Sequence, residues 1–159
     1  MRYTVLAIVA LAGAATAGCR KPGLEERRDA VASAGSEVMP FDLEATTHVF
    51  EKLPDGGLQT VVADDDDPRQ VELIRVHLAE EAERFSRGDF HDPSMIHGEN
   101  MPGLHALMTG HDSVSITYSD VERGAAIRYL SQSAALVTAI HQWFDAQLSD
   151  HGAHAQEHQ

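Results

Sequence analysis

The chain has 159 residues with 12 basic and 25 acidic side chains, a formal charge of −13. A polyanion of this kind repels phosphate backbones and anionic lipid headgroups, which excludes nucleic acid and polybasic membrane binding, and its natural counterparts are cations. Ten His and five Met stand against one Cys, so no disulfide can form within the chain.

At the N-terminus Arg2 precedes an uncharged apolar run, Thr4 to Ala17. That run is short of the roughly 20 residues a membrane-spanning helix needs, and suits the core of an export signal. It closes on Thr16-Ala17-Gly18-Cys19, which resembles the lipobox of bacterial lipoproteins, with Thr16 where the motif usually has Leu. The resemblance implies cleavage of a signal peptide over residues 1–18 and lipid attachment at Cys19. The chain would then be anchored to a membrane and face the periplasm, with no free thiol. Arg at position 20, where retention signals carry Asp, favours the outer membrane by the same analogy.

Residues 19–39 are charged, then rich in Ala, Ser and Gly, and are expected to be a flexible tether holding a short helix over Leu24–Ala34. A single α+β domain is expected over 40–152. Phe41–Leu53 and Leu58–Ala63 flank Pro54-Asp55-Gly56-Gly57, the signature of a hairpin. Asp64 to Asp67 followed by Pro68 reads as a helix start, and Val71, Ile74, Leu78, Ala82 and Phe85 recur at helical spacing up to Gly88. Residues 89–100 are expected to form a loop, and Pro102–Thr109 a short helix. Alternation in Ser113–Tyr118 and Ala125–Leu130 predicts a second hairpin. A last helix spans about Ser133–Asp150, with Val137, Ile140, Phe144 and Leu148 on its apolar face. Residues 153–159 are expected to be a disordered tail. The order ββα-α-ββα predicts an antiparallel sheet of about four strands with helices packed on one face.

The densest chemistry lies between Met95 and His111, MIHGENMPGLHALMTGH. On a helix Met101, His105 and Met108 share one face, and Met95 and His97 precede it. Thioether sulfur suits Cu(I), and imidazole accepts Cu(I), Cu(II) or Zn(II). The bland alternative is an apolar stripe of Met101, Leu104 and Met108 serving as core. His141 falls on the apolar face of the last helix with Asp145 four residues on, the spacing of a carboxylate that orients a ligand from the second shell. His48 and His77 flank strand and helix stripes, from which either can contribute. His151 suits capping of the last helix. The Asp64–Asp67 run lacks the spacing of a calcium loop. Phosphate-loop, H-E-x-x-H and G-x-S-x-G motifs are absent.

From Met39 on, the stretches MPFDLEATTHVF, LIRVHL, GDF, IHGENMPGL and IHQWFDAQLSDHG resemble a group of small exported bacterial proteins without an assigned activity. The resemblance points to His48, His77, His97, Met101, His141 and His151. Members often carry the label aspartate carbamoyltransferase, a function this chain does not support: it lacks the S-T-R-T phosphate loop of that family. The expected function is a lipoprotein that binds a transition metal through His97 and Met101, then Met95, His105 and Met108, with His48, His77 and His141 contributing. Copper is favoured over zinc or haem, for buffering or for delivery to a metal-transfer partner. The alternatives are a metal-free module gripping another envelope protein, and a small hydrolase using a His/Asp pair.

Overall fold

The computed structural model describes residues 23–152 and 155–157. The expected signal peptide over 1–18, the expected lipid attachment point Cys19 and the tail residues His154 and His158 lie outside the described residues.

The domain does not begin at Pro40. Leu24–Val38 forms a 15-residue helix, α1, that buries Val31 and Gly35. A segment expected to be a tether is therefore docked structure. A 3₁₀ turn at Leu43–Ala45 follows, in which Asp42 accepts a bond from the Glu44 N–H at 3.0 Å. Strand β1 (Thr46–Leu53) pairs antiparallel with β2 (Gly56–Ala63) across the two-residue turn Pro54-Asp55. Gly57 is required there, because a Cβ at that position would lie 2.4 Å from the Phe144 ring.

Helix α2 (Pro68–Ser86) starts as its sequence dictates: the Asp67 carboxylate accepts from Arg69 N–H at 2.9 Å and Pro68 occupies the first turn. The stretch expected to be a loop contains helix α3 (His91–His97). Asp89 accepts from the His91 N–H at 3.1 Å, and Pro93 sits in the first turn, where its missing N–H costs nothing. Phe90 stacks on Phe85 at 4.4 Å and ties this turn to α2. Helix α4 (Leu104–Gly110) leads through a 3₁₀ turn into the hairpin of β3 (Ser115–Val121) and β4 (Gly124–Leu130). Helix α5 (Ala134–His151) comes next. Its buried face is Ile140, Trp143, Phe144, Gln147 and Asp150, while Val137 and Leu148 lie to the side.

The architecture is α+β, as expected, with five strands among the described residues in the order β3-β4-β2-β1-β5, where about four were expected. The extra strand, β5 (Ala155–Glu157), lies in the supposed tail and pairs parallel with β1, which makes the sheet mixed. One sheet face, carrying Phe50, Val61, Ala125, Ile127 and Tyr129, packs with Ile74, Leu78, Phe85, Ile140, Trp143 and Phe144 into a single core. Trp143 stands edge-on to Phe85, Phe90 and Tyr129 at 5.4–5.9 Å, the orientation ring quadrupoles favour.

Candidate functional site

The Met- and His-rich stretch does not fold into one ligand set. Met101 is buried core beside Leu104 and Leu107. Met95 is 61% exposed, and Met108 lines a surface groove with His105 and His91. Among the histidines of this stretch only His97 is buried, at the end of α3. The apolar-stripe alternative therefore describes Met101. The reason is local: seven-residue helices α3 and α4 meet at Gly98 and Gly103, both with positive φ, and this break sends successive ligand candidates in different directions.

The pairing of His141 with Asp145 is also replaced. His141 Nε2 lies 3.0 Å from the Leu53 carbonyl and 2.9 Å from that of Gly56, donating to both and clamping the first hairpin. Asp145 instead holds Lys52 at 2.5 Å. The structure makes its His/Asp pair at His97 and Asp150, where Nδ1 meets the carboxylate at 2.9 Å.

Around that pair three imidazoles gather from distant parts of the chain. His48 comes from the inner face of β1, His97 from α3, and His151 from the last turn of α5. The His151 ring centroid is 5.1 Å from that of His48 and 5.0 Å from that of His97. His48 and His97 are buried. His77 reaches the same cavity from α2 but is separated from His48 by the Phe41 ring, which lies 5.7 Å from one and 6.3 Å from the other. Burial lowers the His77 pKa against the pull of Asp92, so that ring is neutral.

Asp150, 3% exposed, governs the electrostatics. Burial alone would raise its pKa, but hydrogen bonds from His97 and Arg27 outweigh that and hold it at about 2. An ionised carboxylate only accepts, so the His97 nitrogen facing it must carry the proton. That fixes the tautomer of the neutral ring and leaves the lone pair on Nε2. Arg27 of α1 supplies the compensating charge through a two-pronged contact at 2.5 and 2.6 Å.

A cavity of about 30 Å³ connects these rings to Glu81, Gln59, Gln147 and Trp143. Roughly 10–15 Å³ accommodates a water, so one or two small ligand atoms fit. Trp143 Nε1 is buried with no acceptor among the described residues. Glu81 on α2 is pushed up to about 8 by burial and by the charge and hydrogen bond of Asp92, with Arg84 opposing. At neutral pH it is a protonated acid bonded to the Asp92 carboxylate. A groove of about 310 Å³ between α1 and the body reaches His48, Asp150 and His151 from solvent, and Glu25, Asp29 and Glu44 line it. Its carboxylates favour the approach of a cation.

Among the described residues there is no group of three or more His, Cys, Asp or Glu side chains that could hold a metal ion as they stand. Nor is any helix among them long and apolar enough to cross a membrane. No family model, curated protein or solved structure matches the chain. The site must therefore be argued from its own geometry. Sequence reading missed Asp150, Arg27 and Glu81 because a buried carboxylate and an exposed one look alike in a chain with 25 of them. The resemblance had singled out His151, and its spacing after Trp143 and Gln147 on one helix face was the available signal.

Proposed function

We propose that this protein is a lipid-anchored, periplasm-facing metal-binding protein whose ligands are the imidazoles of His48, His97 and His151. The observation that carries this is the placing of the His151 ring 5.1 Å from that of His48 and 5.0 Å from that of His97, beside a buried carboxylate. Two imidazoles bound to one tetrahedral ion, with each nitrogen about 2.0–2.1 Å from it, place their ring centroids roughly 5 Å apart. Binding would require the rings to turn from their present positions, in which the described residues form no metal-holding group.

The donor set refines the choice of ion. With the thioethers of Met95, Met101 and Met108 elsewhere, all three ligands are nitrogen. That favours a divalent ion, Cu(II) ahead of Zn(II) in intrinsic affinity, over Cu(I). Arg27 neutralises Asp150, and the acidic chain compensates the ion's charge at long range. Three ligands with an adjoining cavity leave a position open for a transferable bond, which suits buffering or delivery.

The test is competition against a chelator with Cu(II) and Zn(II), using the mature chain with Cys19→Ser and no polyhistidine tag. One tightly held equivalent is expected, lost in His97→Ala and in His48→Ala but kept in Met101→Leu, His105→Ala and Met108→Leu. Binding that survives His97→Ala and His48→Ala sinks the proposal. If no ion binds, the favoured reading becomes an envelope interaction module. The sheet face opposite the core carries Val49, Leu58, Val62 and Leu130, all half-buried.

A further inference from the structure

Helix α1 was expected to be part of a tether, yet its Arg27 side chain touches both the Asp150 carboxylate and the His97 backbone. Arg27 Nε and one terminal nitrogen grip the two Asp150 oxygens at 2.5 and 2.6 Å, and the same terminal nitrogen donates to the His97 backbone carbonyl at 3.2 Å. One guanidinium thus fixes the carboxylate that orients the ring and the backbone that carries it. A planar fork suits this task and an ammonium does not. The neighbouring Arg28 donates to the Ser149 carbonyl at 3.1 Å and does not touch the pair. Val31, 4% exposed, anchors the rest of α1. The groove from solvent to His48 and His151 runs along the same helix.

We propose that Arg27 is a positioning residue of the imidazole site, so that ion binding and the docking of helix α1 are thermodynamically linked. The proposal rests on the metal-binding reading above. Linkage is reciprocal: if docked α1 raises affinity for the ion, the ion must favour docked α1 by the same factor. Because α1 is the first element after the expected anchor point, a force or partner that lifts it would loosen the ion. Release would then be tied to events at the membrane surface.

The experiment uses the mature chain with Cys19→Ser, alone and with Arg27→Gln, Arg27→Lys or Arg28→Gln. Loss of an outer-shell partner typically weakens metal affinity by about 10–100-fold, and that is the expectation for Arg27→Gln in Cu(II) competition. Partial recovery is expected in Arg27→Lys, and in Arg28→Gln, which loses one exposed contact of α1 to Ser149, a smaller loss than in Arg27→Gln. Hydrogen exchange over residues 24–38 should slow on addition of Zn(II) in the parent chain and respond less in Arg27→Gln. The ¹⁵N shifts of the His97 ring report the tautomer, which a helix serving only as scaffold would not alter. If the parent binds ion, Arg27→Gln binds it equally well and exchange in α1 ignores the ion, the linkage is overturned while the metal site stands. If the parent binds no ion, both fail together.

Discussion

Replacing Glu81 with Gln should flatten the pH dependence of stability between pH 5 and pH 8. The Glu81 carboxyl is 7% exposed and its pKa lies at about 8, against an ordinary value of 4.5. In this window the folded chain holds a proton that the unfolded chain has released. Stability attributable to this group is therefore fully present below about pH 4.5, declines as pH rises, and is lost once pH passes 8. At 1.36 kcal/mol per unit, the two titrations together cost about 3–4 kcal/mol between pH 5 and pH 8. That is a large share of a typical domain's 5–15 kcal/mol. Gln keeps a donor for the Asp92 carboxylate and cannot ionise. Urea unfolding at pH 5, 6.5 and 8, with chelator present, gives the assay. The difference in unfolding free energy between Glu81→Gln and the parent should grow in favour of Gln by that amount. Parallel curves at all three pH values would refute the claim that a neutral carboxyl is built into the cavity wall.

Other outcomes follow from single contacts. His141→Ala should cost about 1–3 kcal/mol, since two turn carbonyls lose their donor, and should leave ion affinity intact in the same competition assay. Gly57→Ala should destabilise by about 1–3 kcal/mol in thermal or urea unfolding, because the added methyl meets the Phe144 ring. Asp67→Ala removes the α2 cap and should cost about 1 kcal/mol in a urea midpoint, with no change in the shape of the transition. Asp150→Asn should weaken Cu(II) about 10–100-fold through loss of the carboxylate behind His97. Unchanged affinity in that variant would remove the electrostatic argument for the site.

Local physics is written plainly in the chain. Asp67-Pro68 starts α2, Val71 to Phe85 marks its buried stripe, and Pro54-Asp55 turns the first hairpin, because each depends on residues within one or two turns of each other. The α+β class and both hairpins were legible for the same reason. Two elements were not, and a third was legible only in part. Helix α3 hides behind a proline that looks like a helix breaker, β5 is three residues long and is an edge partner for β1, and α1, expected as a short helix over Leu24–Ala34, owes its docking to contacts with α3 and α5. The trio His48, His97 and His151 depended most on tertiary structure. These rings sit on a strand, a short helix and the end of the last helix, and meet only once the strand register and the packing of α3 and α5 are set. Spacing favoured Met101, His105 and Met108, which are close in sequence. The fold separated them, burying Met101 with Leu104 and leaving His105 and Met108 at the surface, and it brought together imidazoles that no local pattern connects.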